Sequence, residues 1–250
     1  MFHVVIPARF GSTRLPGKAL LDIAGRPMVW HTWRRAMESG AASVTVATDD
    51  DRIADALSDE PVTIVMTAKE HTSGTDRLAE VATKKGWDDD VIVVNLQGDE
   101  PLMPAANIAQ VASLLAQHSD AAISTLWEPI TNREEFLNPA AVKLVADASG
   151  RALYFSRAPI PWPRDTFEDL STPVSACRHI GLYAYRAGFL RAFTAMAPSP
   201  LERLESLEQL RALEAGEVIM VAPAVVTVPA GVDTPDDLAR VRECMEVGKC

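Results

Sequence analysis

Ile6-Pro-Ala-Arg-Phe-Gly-Ser-Thr-Arg-Leu-Pro-Gly-Lys18 follows a short apolar run, Val4-Val5-Ile6, and leads toward a helical pattern. Three basic side chains, Arg9, Arg14 and Lys18, stand in a loop tightened by Gly11 and Gly17. At the end of a first strand such a loop suits polyphosphate. Its backbone N–H groups can turn toward anionic oxygens while the basic side chains neutralise charge. It is not a Walker A loop. Five residues instead of four separate Gly11 from Gly17, and Ala19 stands where that loop has its metal-binding hydroxyl. The chain has no GxGxxG loop either, so kinase and dehydrogenase readings lack their phosphate cradle.

Beyond that loop, strand-like runs alternate with helical patterns, which predicts a parallel sheet covered by helices. Strands are expected at Val4–Ile6, Val44–Ala47, Val62–Met66, Val91–Val94, Ile180–Tyr185 and Val225–Val228. A helix is expected from Pro27, burying Val29, Trp33, Ala36 and Met37 before Gly40 ends it. Val142–Ala146 and Ala152–Phe155 flank Asp147-Ala-Ser-Gly150 and read as a hairpin. Glu202–Gly216 reads as one helix with Leu204, Leu207, Leu210 and Leu213 on a single stripe, and Thr234-Pro-Asp-Asp237 as a capped helix start. The fold expected is α/β and Rossmann-like, a mostly parallel sheet with helices on both faces. One domain would span 1–250, with a smaller mixed-strand sub-lobe at about 130–190 inserted into the sheet or packed beside it.

The 250 residues are enough for one large α/β domain with a buried core. A formal net charge of −10 argues against nucleic acid as a partner, because phosphate backbones demand clustered Lys and Arg. A small anionic substrate remains compatible, since a few arginines reverse the local field. Cys177, Cys244 and Cys250 form no CxxC, so neither a zinc site nor a disulfide framework is expected. With no signal-peptide pattern and no apolar run near the roughly 20 residues that span a bilayer, the expected location is the cytoplasm, with no membrane partner.

Ligands of open α/β sheets bind beyond the carboxyl ends of the strands. Thr48-Asp49 and Gln97-Gly-Asp99-Glu-Pro101 fall at such ends, beside the basic loop. A carboxylate at Asp99 facing a phosphate loop suits Mg²⁺, and a simple turn cap fits the same residues equally well. Asp233, in Gly231-Val-Asp-Thr-Pro235, is placed similarly, where a carboxylate stabilised by a helix N-terminus is the plainer reading. Ser73-Gly-Thr-Asp-Arg77 reads first as a helix cap and second as a base- or sugar-recognition loop. His179 reads by itself as structural, and no HxxxH or HExxH pattern supports zinc. Arg157 and Arg164, on a proline-rich rim, are either carboxylate clamps or surface arginines.

Taken together, seven runs resemble the 3-deoxy-manno-octulosonate cytidylyltransferase family: IPARFGSTRLPGKAL at 6–20, HTSGTDRLAEV at 71–81, VNLQGDEPL at 94–102, NPAAVKLVADASGRALYFSRAPIPW at 138–162, RHIGLYAYR at 178–186, LESLEQLR at 204–211 and GVDTPDDLARVR at 231–242. The resemblance implies a nucleotide-diphospho-sugar transferase type of fold. It also implies transfer of CMP from CTP to the eight-carbon acid sugar Kdo, giving CMP-Kdo and diphosphate for lipopolysaccharide synthesis, with Mg²⁺ as cofactor. Arg9, Arg14 and Lys18 would hold the triphosphate, and Asp99 and Asp233 would ligate Mg²⁺. Cytidine would lie against Ala8, Arg9, Ser73, Gly74 and Arg77. The sugar would meet Gln97, Arg157, His179, Tyr183, Glu208 and Gln209. A homodimer with contacts from the 130–190 region is implied as well. The rivals are a synthetase for the 8-amino analogue or for sialic acid, and a catalytically silent nucleotide-binding subunit.

Overall fold

The computed structural model describes residues 1–11, 15–165 and 176–246. Arg14 and Cys250 lie outside them. The chain runs β1 (Phe2–Pro7), β2 (Asp22–Ile23), β3 (Arg26–Pro27), α1 (Met28–Met37), β4 (Ser43–Thr48), α2 (Asp51–Asp55), β5 (Thr63–Met66), α3 (Gly74–Lys84), β6 (Ile92–Asn95) and α4 (Ala105–Gln117). It continues with β7 (Ile123–Pro129), α5 (Arg133–Leu137), β8 (Lys143–Ala146), β9 (Ala152–Ser156), β10 (Cys177–Arg186), α6 (Ala187–Ala195), α7 (Pro200–Glu205), α8 (Gln209–Glu214), β11 (Ile219–Pro223) and α9 (Pro235–Glu246).

The main sheet has the order β11-β7-β10-β6-β1-β4-β5. β6, β1, β4 and β5 pair parallel, as do β11 and β7, while β10 runs antiparallel to both β6 and β7. This is the mostly parallel α/β sheet expected from the alternating pattern. The short apolar strands are buried on both faces, which is why they read as unbroken runs and not as alternations. Val4 and Ile6 pack under α1 and α4 on one side, and Val5 and Val93 pack under α3 and α6 on the other.

The hairpin read at 142–155 is present as β8 and β9, paired antiparallel. It hangs on the first residues of β10, where Cys177 pairs with Leu144 and Arg178 with Lys143. Further along, β10 enters the main sheet between β7 and β6, past a register shift between Ile180 and Tyr183. One strand thus belongs to both the hairpin and the central sheet.

Four local expectations are corrected. The single helix over 202–216 is two short ones, because Ser206 adopts a left-handed conformation (φ 52°, ψ 49°) that ends α7. The break sends Leu204 into solvent at 81% exposure while Leu207 and Leu210 stay buried. The late strand is Ile219–Pro223, not Val225–Val228. Past Pro223 the backbone N–H groups of Val225 and Val226 go to the amide oxygens of Gln110 and Asn107 on α4, which replaces a strand partner. Met37 is half exposed at the end of α1 instead of buried. Finally, Cys244 is disulfide-bonded while Cys177 is a free thiol, against the expectation of no disulfide. Among the described residues, no helix is long and apolar enough to cross a membrane.

Candidate active site

The carboxyl ends of β1 and β6 and the start of α3 converge on a cleft of about 370 Å³. Its walls include Ala8, Arg9, Lys18, Ser73, Gly74, Arg77, Gln97, Asp99 and Asp233, so the structure gathers these scattered segments at one place. The loop after β1 is closed by a bond from Gly17 N–H to the Phe10 carbonyl, 3.2 Å. Gly17 has φ 67°, a left-handed conformation that favours glycine, and a Cβ there would press the Phe10 ring at 3.2 Å. The next residue, Lys18, opens a 3-10 turn and is thereby aimed across the cleft.

The loop after β6 is held equally closely. Gly98 lies against β1, where a Cβ would come 3.1 Å from the Pro7 carbonyl oxygen. The Thr32 hydroxyl of α1 donates to the Gly98 carbonyl at 3.1 Å. The Val232 N–H donates to the Asp99 carbonyl at 3.0 Å. This last bond ties the segment carrying Asp233 to the loop carrying Asp99.

The outcome is a charge cluster of defined geometry. Lys18 Nζ lies 2.6 Å from Asp99 Oδ2 and 2.9 Å from Asp233 Oδ1. Burial pulls the Lys18 pKa down, but the charges and hydrogen bonds of the two carboxylates outweigh it and the net shift is upward. The ammonium is therefore fully charged at neutral pH. Next to it, Glu100 is pushed up to about 8, first by burial and then by the charges of Asp99 and Asp233, against the opposing pull of Lys18 and Arg178. Two carboxylates thus converge on one cation, and burial favours the protonated form of a third beside them.

At the opposite wall, Ser73 caps α3 by accepting from Asp76 N–H, and the Asp76 carboxylate accepts from Ser73 N–H. Arg77 is 3% exposed. Its guanidinium pairs with Asp49 at 2.8 Å and donates to the Thr67 hydroxyl and the Ala68 carbonyl. Asp49 at the end of β4 therefore anchors Arg77, a partnership that 28 residues of separation hide from a local reading of the sequence.

The remaining expected residues lie outside the cleft lining. Arg157 donates to the carbonyls of Glu205, Pro139 and Ser206, which fastens the rim to the turn between α7 and α8. Arg164 is 92% exposed beside Asp165. Glu208 accepts from the Thr75 hydroxyl at 2.7 Å. Gln209 is buried at the start of α8, and its side-chain amide nitrogen has no hydrogen-bond partner among the described residues. Such an orphaned donor is uncommon in native proteins, and a ligand oxygen is one way to satisfy it. Tyr183 stands between the rings of His179 and Tyr185. Its pKa is raised well above the ordinary tyrosine value by burial, with the charges of Tyr185 and Glu208 adding to the effect.

His179 Nε2 is 3.0 Å from the Thr125 hydroxyl, and the ring meets Phe155 edge-on. Burial, with a smaller push from Arg178, lowers its pKa to about 3. An unfolded chain takes up a proton on this histidine below about pH 6.5, while the folded protein does not until about pH 3. Stability is therefore lost as pH falls through that window. His179→Asn should recover about 2 kcal/mol of the loss between pH 7 and pH 5, at roughly 1.4 kcal/mol per unit. Urea unfolding of both proteins at the two pH values measures this. Equal pH dependence in the two would mean that His179 is not held neutral.

The cytidylyltransferase family model matches residues 3–219. A 3-deoxy-manno-octulosonate cytidylyltransferase of Xanthomonas euvesicatoria is 57% identical over 246 residues, covering 96% of this chain and 95% of the relative. The enzyme of the same name from Methylococcus capsulatus is 52% identical over 245 residues, with 96% and 95% covered. A solved structure of CMP:2-keto-3-deoxy-manno-octonic acid synthetase complexed with CTP superposes with a TM-score of 0.90 at 41% identity, covering 99% of this chain and all of that one.

Proposed function

The chain belongs to the 3-deoxy-manno-octulosonate cytidylyltransferase family, and from that premise we propose that it transfers CMP from CTP to 3-deoxy-manno-octulosonate, releasing diphosphate. The observation that carries this reading is the Lys18–Asp99–Asp233 cluster at the mouth of a cleft walled by Ser73, Gly74 and Arg77. The cleft offers cationic side chains for a triphosphate, a small-residue helix start for a nucleoside and a paired-carboxylate wall between them. A silent binding subunit would have no need to converge two carboxylates and a lysine on one point.

Mg²⁺ fits the residues present. Asp99 and Asp233 already meet on a single cation, and their hard oxygens are the donors this ion takes. Among the described residues no group of three or more His, Cys, Asp or Glu side chains forms a cage. Two carboxylates completed by substrate phosphates is how Mg²⁺ is ordinarily held in nucleotide sites. When bound it supplies positive charge to the phosphates and lowers the pKa of an attacking hydroxyl.

The chain's own residues do the rest. Lys18 and Arg9 neutralise the triphosphate and the negative charge that grows as the acceptor hydroxyl approaches the α-phosphorus and diphosphate departs. Arg14, outside the described residues, belongs with them by the sequence reading. Ala8, Ser73, Gly74 and Arg77 receive the nucleoside. Gln97, Arg157, His179, Tyr183, Glu208 and Gln209 form the acceptor side, and the Gln209 amide, without a partner among the described residues, favours a ligand there. The homodimer, the cytoplasmic location and the role in lipopolysaccharide synthesis follow from the family resemblance.

Diphosphate release with CTP and Mg²⁺ tests the reading, using octulosonate, its 8-amino analogue and N-acetylneuraminate in turn. Release with octulosonate, lost when Mg²⁺ is omitted, is expected. Release with another sugar alone would redraw the acceptor pocket, and none with any of them would support the silent subunit.

A further inference from the structure

The segment 224–232 leaves β11 and leads directly into Asp233 at the cleft. Its last strand-type bond runs from Ala224 N–H to the Trp127 carbonyl, 2.9 Å. Beyond it, side chains hold the backbone. The Gln110 amide donates to the Pro223 carbonyl at 2.7 Å and accepts from Val225 N–H at 3.0 Å. One turn earlier on α4, the Asn107 amide donates to the Val226 carbonyl at 2.7 Å and accepts from Val226 N–H at 3.0 Å. Glu128 of β7 accepts from Val228 N–H at 2.7 Å. Its other carboxylate oxygen is taken by Arg178 of β10, which also pairs with Glu135 at 3.0 Å. Arg240 of α9 donates to the Ala230 carbonyl at 3.0 Å. Gly231 then passes so close to the Asp99 loop that a Cβ would stand 2.7 Å from a Glu100 carboxylate oxygen.

A side-chain amide carries a donor and an acceptor, the same pair of groups that a strand edge presents. Asn107 and Gln110 thus stand in for a strand neighbour. Continued pairing would have carried the segment along β7, which β11 follows only as far as the Pro223–Trp127 pair. Side-chain partners let it leave the sheet edge with its backbone still bonded, as the approach to the Asp99 loop requires. Packing alone does not call for this arrangement. Asn107 is fully buried, where a leucine would fill the volume without burying an amide. Such a leucine would leave the Val226 N–H and carbonyl without their partner.

We propose that Asn107, Gln110 and Glu128 are positioning residues that fix 224–232 so that Asp233 meets Asp99 at one cation position, and so set the affinity for a divalent cation–nucleotide complex. The Asp233 side chain is 56% exposed, so packing does little to place it. Its position comes through the backbone, which is fastened at residues 225, 226, 228, 230 and 232. The last of these bonds, from Val232 N–H to the Asp99 carbonyl, joins the two carboxylate-bearing segments directly. The inference rests on the metal role proposed above for Asp233.

Asn107→Leu and Gln110→Leu remove the two amide clasps, and Glu128→Gln keeps an oxygen for Val228 N–H. Calorimetric binding of Mn²⁺·CTP with the acceptor sugar omitted needs no turnover, and binding of CTP with a chelator present reports the nucleotide alone. Asn107→Leu should weaken Mn²⁺·CTP binding about tenfold, the effect of losing one or two hydrogen bonds, and Gln110→Leu about threefold. CTP alone should stay within about twofold, and Glu128→Gln should bind Mn²⁺·CTP close to the parent enzyme. A purely structural role would lower the melting temperature of Asn107→Leu and leave the ratio of the two affinities unmoved, and that result overturns the inference. Should Asn107→Leu not fold, Gln110→Leu decides, and unchanged Mn²⁺·CTP binding in it overturns the inference equally. Asp233→Asn separates the two levels of the argument. If it too binds Mn²⁺·CTP like the parent, the metal role of Asp233 falls, and this inference with it. If it binds more weakly while the amide variants do not, only the positioning role falls.

Discussion

Asp99→Asn should abolish CMP transfer, with turnover falling on the order of 10³-fold or more, equivalent to about 4 kcal/mol of transition-state stabilisation. The substitution keeps the shape of the side chain and removes its charge. The loop does not depend on that charge for its position. It is held by the Thr32 bond to the Gly98 carbonyl, by the close seat of Gly98 on β1 and by the Val232 N–H on the Asp99 carbonyl, all of which survive. The melting temperature should accordingly change little. What disappears is one of the two carboxylates that converge on the cation position, and Asp233, 56% exposed, is a weak holder alone. Steady-state diphosphate release beside a thermal melt measures both halves. A folded variant with near-normal transfer would remove Asp99 from the mechanism.

The parts of this cleft that can be read in the sequence are those built by contiguous chain. The 6–18 loop and Gln97-Gly-Asp99 each carry their glycines, charges and strand end within a few residues, so their geometry is largely locally determined. The cap at Thr234–Asp237 is legible for the same reason, since its bonds join residues three apart. What the local sequence hides depends on partners far along the chain. The leucine spacing of 202–216 fits one helix, and only the tertiary demands at Ser206 break it. Around that break, Glu205 turns to the Ser156 hydroxyl and the Arg157 N–H while Glu208 turns to Thr75. Val225 and Val226 have strand-like side chains, but Asn107 and Gln110 on α4 claim their N–H groups first. The Asp49–Arg77 and Thr75–Glu208 pairs likewise consist of polar residues that look unremarkable singly. Their chemistry exists only once α3 lies beside β4 and beside the turn between α7 and α8.

Lys18→Ala should lower turnover on the order of 10²–10³-fold, as for removal of one donor aimed at developing charge. The magnitude follows from where the ammonium sits. It is 12% exposed and lies between two carboxylates, so neither water nor a neighbouring side chain can easily take its place. In the absence of substrate it neutralises part of the charge of Asp99 and Asp233. With the triphosphate present, the same charge is within reach of the phosphates, and it is worth more in a partly buried cleft than in water. Two effects of the alanine variant therefore oppose each other. Loss of phosphate stabilisation slows transfer, whereas freeing both carboxylates from the lysine makes them better ligands for a divalent cation. The variant should show a steep fall in kcat together with a lower Mg²⁺ concentration at half-maximal rate. Lys18→Arg should restore only part of the rate, because a guanidinium cannot place a single point charge between the two oxygens. A loss below about tenfold in Lys18→Ala would reduce the lysine to a minor contact, and would leave Arg9 and the basic loop as the source of charge stabilisation.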